Sequence, residues 1–401
     1  MKKYLTIGLI IALIVVAHVI VIRMFWKGHK DVPPAETAAT EAKPAESVVE
    51  QKDASGKPVA VKPAAAAAAK MEMPSGKNPS LGKFFQYKQA IEGNLPCIPL
   101  SAEATTGILV DIDSRKVLWA KNQREATPIA SMTKMMTLLL AMEDIANRQD
   151  LSLETPVKVS NAASKIGGSQ VYLDPKETFP LGELLKTVAI KSANDSAYLV
   201  AEFLSGGDVS GFIARMNRRA KQLKMPSTNF VNPNGLPVDS GENSTSSPEG
   251  MALLAEQLLE YPQVVKWTSS ITDTFREPGV KGHQVLTNTN KLLGNCAGVN
   301  GMKTGFIRVS GFCITVTCTR GGKRMVAVVT GFQDKNHRTN FIKKLLDWGY
   351  RRDAVIDDPE ALAKFDKTVT NVAGKEKGAA RSALAGKKKK AAAPVEAEGH
   401  E

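Results

Sequence analysis

Three short motifs follow one another along the chain: Ser131-Met132-Thr133-Lys134, then Ser192-Ala193-Asn194, then Lys303-Thr304-Gly305. Their first residues are separated by 61 and 111 positions, so no local structure unites them. Only a folded cleft can. A hydroxyl and an amine at i and i+3 face each other on a helix, which pairs Ser131 as nucleophile with Lys134 as base. Ser192 can relay a proton, and the Asn194 amide can hold a carbonyl. Lys303 and Thr304 on a strand edge suit a carboxylate, while Gly305 lets a substrate come close to the backbone. The N–H groups of Ser131 and Phe306 complete the set as an oxyanion hole. Such a set serves acyl transfer through a serine.

Each motif has an ordinary alternative. Ser80-Leu81-Gly82-Lys83 repeats the first spacing, and Ser227-Thr228-Asn229 resembles the second. Asn194 or Asp195 can be a helix cap, and Lys303-Thr304-Gly305 a turn into a strand. Context separates the copies. Lys134 is the only charge before Glu143 in a segment apolar nearly all round, which implies a buried helix. Burial and a nearby Lys303 would depress the Lys134 pKa and leave an amine able to take a proton.

The elements that must position these residues are legible as patterns. Residues 107–112 and 116–120 flank Asp113-Ser114-Arg115 as a β-hairpin, and 311–319 and 324–332 flank Arg320-Gly321-Gly322-Lys323 as another. Helical patterns cover 131–145, 195–204, 211–223, 248–259 and 336–350. Early strands, a helical middle, then late strands and a final helix predict an α+β class, with one antiparallel sheet built from both ends of the domain.

The 401 residues carry a formal charge of +13. The one dense basic run, Lys387 to Lys390, lies among alanines without aromatics, which argues against nucleic acid. Cys97, Cys296, Cys313 and Cys318 form no Cys-x-x-Cys pair and the five histidines are scattered, so neither a metal nor a cofactor is expected. Cys313 and Cys318, five apart in a strand, point to opposite faces; a Cys97–Cys296 bridge is left open. Lys2-Lys3 precede an apolar run from Tyr4 to Ile22, long enough at 1.5 Å per residue to cross a bilayer core of about 30 Å. Residues 1–30 are therefore expected to be an uncleaved signal-anchor segment. Residues 31–80, rich in Ala, Pro, Lys and Glu, form a linker with a mean span of about 40 Å. The catalytic domain is expected over 81–352 and a low-complexity basic tail over 353–401.

Wider stretches now bear on identity. Ala130-Ser-Met-Thr-Lys-Met-Met-Thr, Lys191-Ser-Ala-Asn-Asp-Ser-Ala, Asn288-Thr-Asn-Lys-Leu-Leu and Gly298-Val-Asn-Gly-Met-Lys-Thr-Gly-Phe are similar to the low-molecular-mass penicillin-binding proteins, the serine D-alanyl-D-alanine carboxypeptidases. So are Ala327-Val-Val-Thr-Gly and Leu345-Leu-Asp-Trp-Gly-Tyr. The resemblance implies a penicillin-binding transpeptidase-like (serine β-lactamase-like) fold, with a five-stranded sheet beside an all-helical subdomain. It also implies that Ser131 attacks the D-Ala-D-Ala bond of a peptidoglycan stem peptide. Lys134 would be the base, Ser192 the relay, Asn194 the substrate-orienting amide, and Lys303 and Thr304 the carboxylate clamp. β-Lactams would trap the acyl-enzyme, and the N-terminal segment would tether the domain outside the cytoplasmic membrane. Where the family often has Asn-Pro-His-Gly-Leu, this chain has Asn232-Pro-Asn234-Gly-Leu. The residues after Asp353 are too few for the β-rich second domain many members carry. D,D-Endopeptidases share the fold and class A β-lactamases share the motifs, and a penicillin-recognising sensor with a relic site is the non-enzymatic alternative.

Overall fold

Near-continuous apolar runs in the two expected hairpins give each strand two buried faces, so the sheet they form needs cover on both sides. The computed structural model describes residues 81–367 and supplies that cover. A two-residue strand β1 (Ile91–Glu92) precedes the first hairpin, β2 (Thr106–Asp111) and β3 (Val117–Lys121). The chain enters the helical half through β4 (Thr127–Pro128), a 3-10 turn over Ala130–Thr133 and helix α1 (Lys134–Asn147). Strands β5 (Pro156–Lys158) and β6 (Thr178–Pro180) pair as a small ribbon. Helices α2 (Leu181–Ile190), α3 (Asn194–Leu204) and α4 (Val209–Gln222) follow. After β7 (Thr245–Ser246), which pairs with β4, come α5 (Pro248–Leu259) and α6 (Pro262–Ser269). A second ribbon joins β8 (Thr272–Phe275) and β9 (Gln284–Thr287). Last are β10 (Val299–Ile307), β11 (Gly311–Arg320), β12 (Lys323–Phe332) and α7 (Lys335–Asp353).

The sheet order is β1-β3-β2-β12-β11-β10. The five long strands are antiparallel, as expected; β1 adds a sixth member that runs parallel to β3. Two residues are too short for any alternation to show in the sequence. Pairing of β12 with β2 joins the two ends of the domain, and β10 is left at the edge.

Side-chain alternation sorts the core into two clusters. Ile108, Val110, Val326 and Val328 face α5, which packs on β2 and β12, and share a core with α1, whose residues from Lys134 to Met142 are all buried. Leu109, Met325, Ala327 and Val329 point the other way, onto Phe341, Ile342, Leu345 and Trp348 of α7. Each such aliphatic or aromatic residue contributes about 1.5–3 kcal/mol by burial. Cys313 belongs to the first cluster and Cys318 to the second, the opposite faces expected of them. Cys296 is a free thiol, so the bridge to Cys97 is not formed.

Capping fixes the helix ends. Asp334 accepts from the N–H groups of Asn336 and His337 at 2.7 Å, and Arg351 and Arg352 complement the dipole at the other end of α7. The expected tail boundary at 353 moves outward. Asp358 caps a further helical stretch over 359–367, whose Leu362 and Phe365 pack on the second cluster while Arg352 pairs with Asp366. The apolar run 4–22, the linker 31–80 and the tail from 368 lie outside the described residues. Among the described residues no helix is long and apolar enough to cross a membrane.

Candidate active site

The sequence pattern 131–145 reads as one helix, yet α1 begins only at Lys134 and Ser131 sits in the tight turn before it. Ala130 takes a left-handed backbone, φ +47°, which sets the turn apart from the helix. The turn is wedged between two glycines. A Cβ on Gly235 would lie 2.0 Å from the Ala130 carbonyl oxygen, and one on Gly305 would lie 2.6 Å from that of Ile129. Gly305 thus admits the nucleophile's own turn. It also lines the cleft, so the close approach to the turn adds to the substrate-facing role expected of it.

Lys134 is fully buried. Its Nζ lies 3.0 Å from Ser131 Oγ and donates to Asn194 Oδ1 at 2.6 Å and to the Asn234 carbonyl at 2.5 Å. Desolvation, then the nearby Lys303 charge, holds its pKa well below the usual lysine range, against a smaller upward pull from Asp195. Lys303, also buried, is brought down to about 7 by desolvation. Neither lysine forms an ion pair among the described residues. A lysine that is neutral at its post can accept a proton.

Asn194 opens α3, and its side chain makes no capping bond. Its Nδ2 donates to the Gly167 carbonyl at 2.8 Å while Oδ1 accepts from Lys134 Nζ. One end of the amide holds the lysine and the other is anchored to the loop at Gly167. Ser192 stands at φ +66°, and its Oγ is buried without a hydrogen-bond partner. A hydroxyl left so in a native site is a candidate for use by substrate.

Lys303-Thr304-Gly305 lies within β10, the edge strand, paired in register with Thr315, Ile314 and Cys313. Thr304 Oγ1 donates to Thr289 Oγ1 at 2.7 Å. Ser131, Ser192, Thr304, Gly305 and Phe306 line one open cleft of about 400 Å³. A larger cavity, about 630 Å³, lies beside Trp348 and Phe365 and holds none of the motif residues; its walls carry no comparable chemistry.

Neither Ser227-Thr228-Asn229 nor Lys83 of the other duplicate lines the cleft. Ser227 donates to the Arg124 carbonyl and Thr228 pairs with Ser246, so Ser227-Thr228-Asn229 is a structural turn. Lys83 is exposed. Two cleft residues left no mark in the sequence. Arg338, in the first turn of α7, is 2% exposed, donates to the Cys313 carbonyl at 3.1 Å and has no acidic partner among the described residues. Burial lowers its pKa to about 10. Thr289 is set by Asn288 and Asn290, whose amides bond the carbonyls of Ser270 and Gly301 at 2.9 and 3.0 Å. Cleft walls of hydroxyls, amides and cations, without a carboxylate among the described residues, favour an anionic substrate.

Residues 94–334 match the D-alanyl-D-alanine carboxypeptidase family, peptidase S11. The chain is 37% identical over 273 residues to the D-alanyl-D-alanine carboxypeptidase DacF of Bacillus subtilis, covering 68% of each. It is 32% identical over 262 residues to DacC of Escherichia coli, covering 63% of this chain and 62% of that one, less than two thirds of its length. Among solved structures, the penicillin-binding protein D2 of Listeria monocytogenes in its ampicillin-bound form is similar at a TM-score of 0.55 and 30% identity, over 62% of this chain and 98% of that chain. A D-alanyl-D-alanine carboxypeptidase of Mycobacterium tuberculosis H37Rv aligns at a TM-score of 0.57 and 26% identity, over 62% of this chain and 91% of that chain. The fold is therefore the penicillin-binding transpeptidase-like one, and the chain belongs to the D-alanyl-D-alanine carboxypeptidase family.

Proposed function

We propose that this protein is a serine D-alanyl-D-alanine carboxypeptidase that removes the terminal D-alanine of a peptidoglycan stem peptide through an acyl-enzyme on Ser131. The observation that carries this reading is the buried Lys134 amine, 3.0 Å from Ser131 Oγ and facing a second buried lysine.

The substrate's terminal carboxylate enters the cationic end of the cleft, toward Lys303, Thr304 and Arg338. Lys134 Nζ takes the Ser131 proton as Oγ attacks the carbonyl carbon, and the N–H groups of Ser131 and Phe306 hold the resulting oxyanion. The C–N bond breaks as the leaving amine receives that proton, passed from Lys134 by way of Ser192. D-Alanine departs. With no carboxylate on the cleft walls, Lys134 is again the base when water attacks the ester. Asn194 orients Lys134 throughout. A β-lactam enters the same first step, but its leaving nitrogen stays tethered in the opened ring and blocks the water.

A pentapeptide stem with the purified enzyme should lose one D-alanine by mass, and intact cross-linked peptidoglycan should keep its cross-links. Cleaved cross-links with no terminal trimming would instead identify an endopeptidase. The apolar run 4–22 and the linker after it support a placement in the bacterial envelope, tethered to the cytoplasmic membrane with the cleft on its outer side.

A further inference from the structure

Asn194 can hold Lys134 only if the loop beneath it stays in place. Its Nδ2 bonds the Gly167 carbonyl at 2.8 Å and its backbone N–H bonds that of Ser169 at 2.7 Å. Two residues further on, the loop is gripped from opposite sides by buried charges. From inside, Asp195 accepts from the N–H groups of Val171 and Leu173 at 3.1 and 3.3 Å. From outside, Arg276 donates to the carbonyls of Val171 and Tyr172 at 3.0 and 2.9 Å.

Arg276 follows β8, and its side chain is 4% exposed. All three guanidinium nitrogens are in use: Nε and Nη2 grip Glu177 at 2.7 Å, and Nη1 also reaches the Gly282 carbonyl at 3.0 Å. The plane lies against Phe275 at 4.6 Å and Phe179 at 5.3 Å. A plain surface ion pair would not be buried, stacked and bonded to two consecutive carbonyls of the loop that carries Ser169. Between the two grips Tyr172 is held at φ +55°, a strained backbone for a residue with a side chain.

We propose that Arg276 is a positioning residue for acylation: its fork fixes Val171–Tyr172 against Asp195, and so keeps Asn194 on Lys134. The inference rests on Lys134 being the base. Without the fork the loop relaxes and water reaches the lysine. Around Lys134 Nζ the charged groups are Lys303 and Asp195, and desolvation outweighs both. Admitting water therefore raises the lysine's pKa and moves the acid limb of acylation to higher pH.

The test uses the full chain with a fluorescent penicillin, measuring the acylation rate and the prior binding constant from pH 5 to 9 in wild type, Arg276→Ala and Arg276→Lys. Circular dichroism and melting of each variant accompany the kinetics. Lysine keeps a charge at Glu177 but cannot bridge two carbonyls and a carboxylate, so it too should fail in part. The acylation rate should fall about 10- to 100-fold in the alanine variant and less in the lysine variant, with binding little changed and the acid limb moved up. If the alanine variant does not fold, the lysine variant decides. Wild-type rates and an unmoved acid limb, whatever the melting temperature, would overturn the proposal. A wild-type protein that takes no label on Ser131 would instead refute the reading beneath it.

Discussion

Asn194 Oδ1 accepts from Lys134 Nζ at 2.6 Å, so the strongest side-chain bond to the buried lysine comes from a neutral amide. A carboxylate at that oxygen would hold an ammonium. Asn194→Asp should raise the Lys134 pKa by one unit or more, as an opposite charge at that distance does, and move the acid limb of β-lactam acylation up equally. At neutral pH the rate should then fall about tenfold or more, read by stopped-flow labelling.

Lys303 titrates near 7 because its burial penalises the ammonium. Substrate carboxylate binding should weaken as pH rises through that value, seen as a rising KM. In stability the sign is fixed by proton counts. Between about 7 and the ordinary lysine value the unfolded chain binds more protons, so this residue's penalty is full below that window and fades across it as pH rises. Lys303→Met should therefore raise the melting temperature by several degrees at pH 6 and by less at pH 9.5, while impairing turnover. Calorimetry at the two values checks it.

Ser192 Oγ is a buried hydroxyl without a partner. Ser192→Ala removes a group that folding desolvates for nothing in the free enzyme. Stability should hold or rise by about 1 kcal/mol while acylation falls about 10²- to 10⁴-fold. Urea melts beside penicillin labelling separate the two effects.

Gly305 both lines the cleft and touches the nucleophile's turn. Gly305→Ala places a methyl 2.6 Å from the Ile129 carbonyl oxygen and 3.2 Å from Ala130 Cβ, so the turn must move. Overpacking of this kind costs about 1–3 kcal/mol. The loss should show as a lower acylation rate together with a lower melting temperature.

What the sequence could and could not reveal divides along physical lines. Hairpins β2–β3 and β11–β12 and helix α5 follow from local alternation and capping, and the three motifs locate the cleft because their side chains carry its chemistry. Helices α2 and α6 have only ten and eight residues, too few for a clear period. The roles of Arg338 and Thr289 depend on which strands lie side by side, which no local pattern encodes. The Asn234 carbonyl is a backbone atom, and its bond to Lys134 is indifferent to the departure from the family's histidine. Gly305 was legible as a required glycine, but its neighbour was not.

The most direct measurement is the site of covalent labelling. Trypsin frees Ser131 on the peptide 125–134, apart from Ser192. Wild-type protein treated with penicillin should carry one adduct, on Ser131, and folded Ser131→Ala should carry none. An adduct that persists in that variant, or that maps to Ser192, would contradict the account.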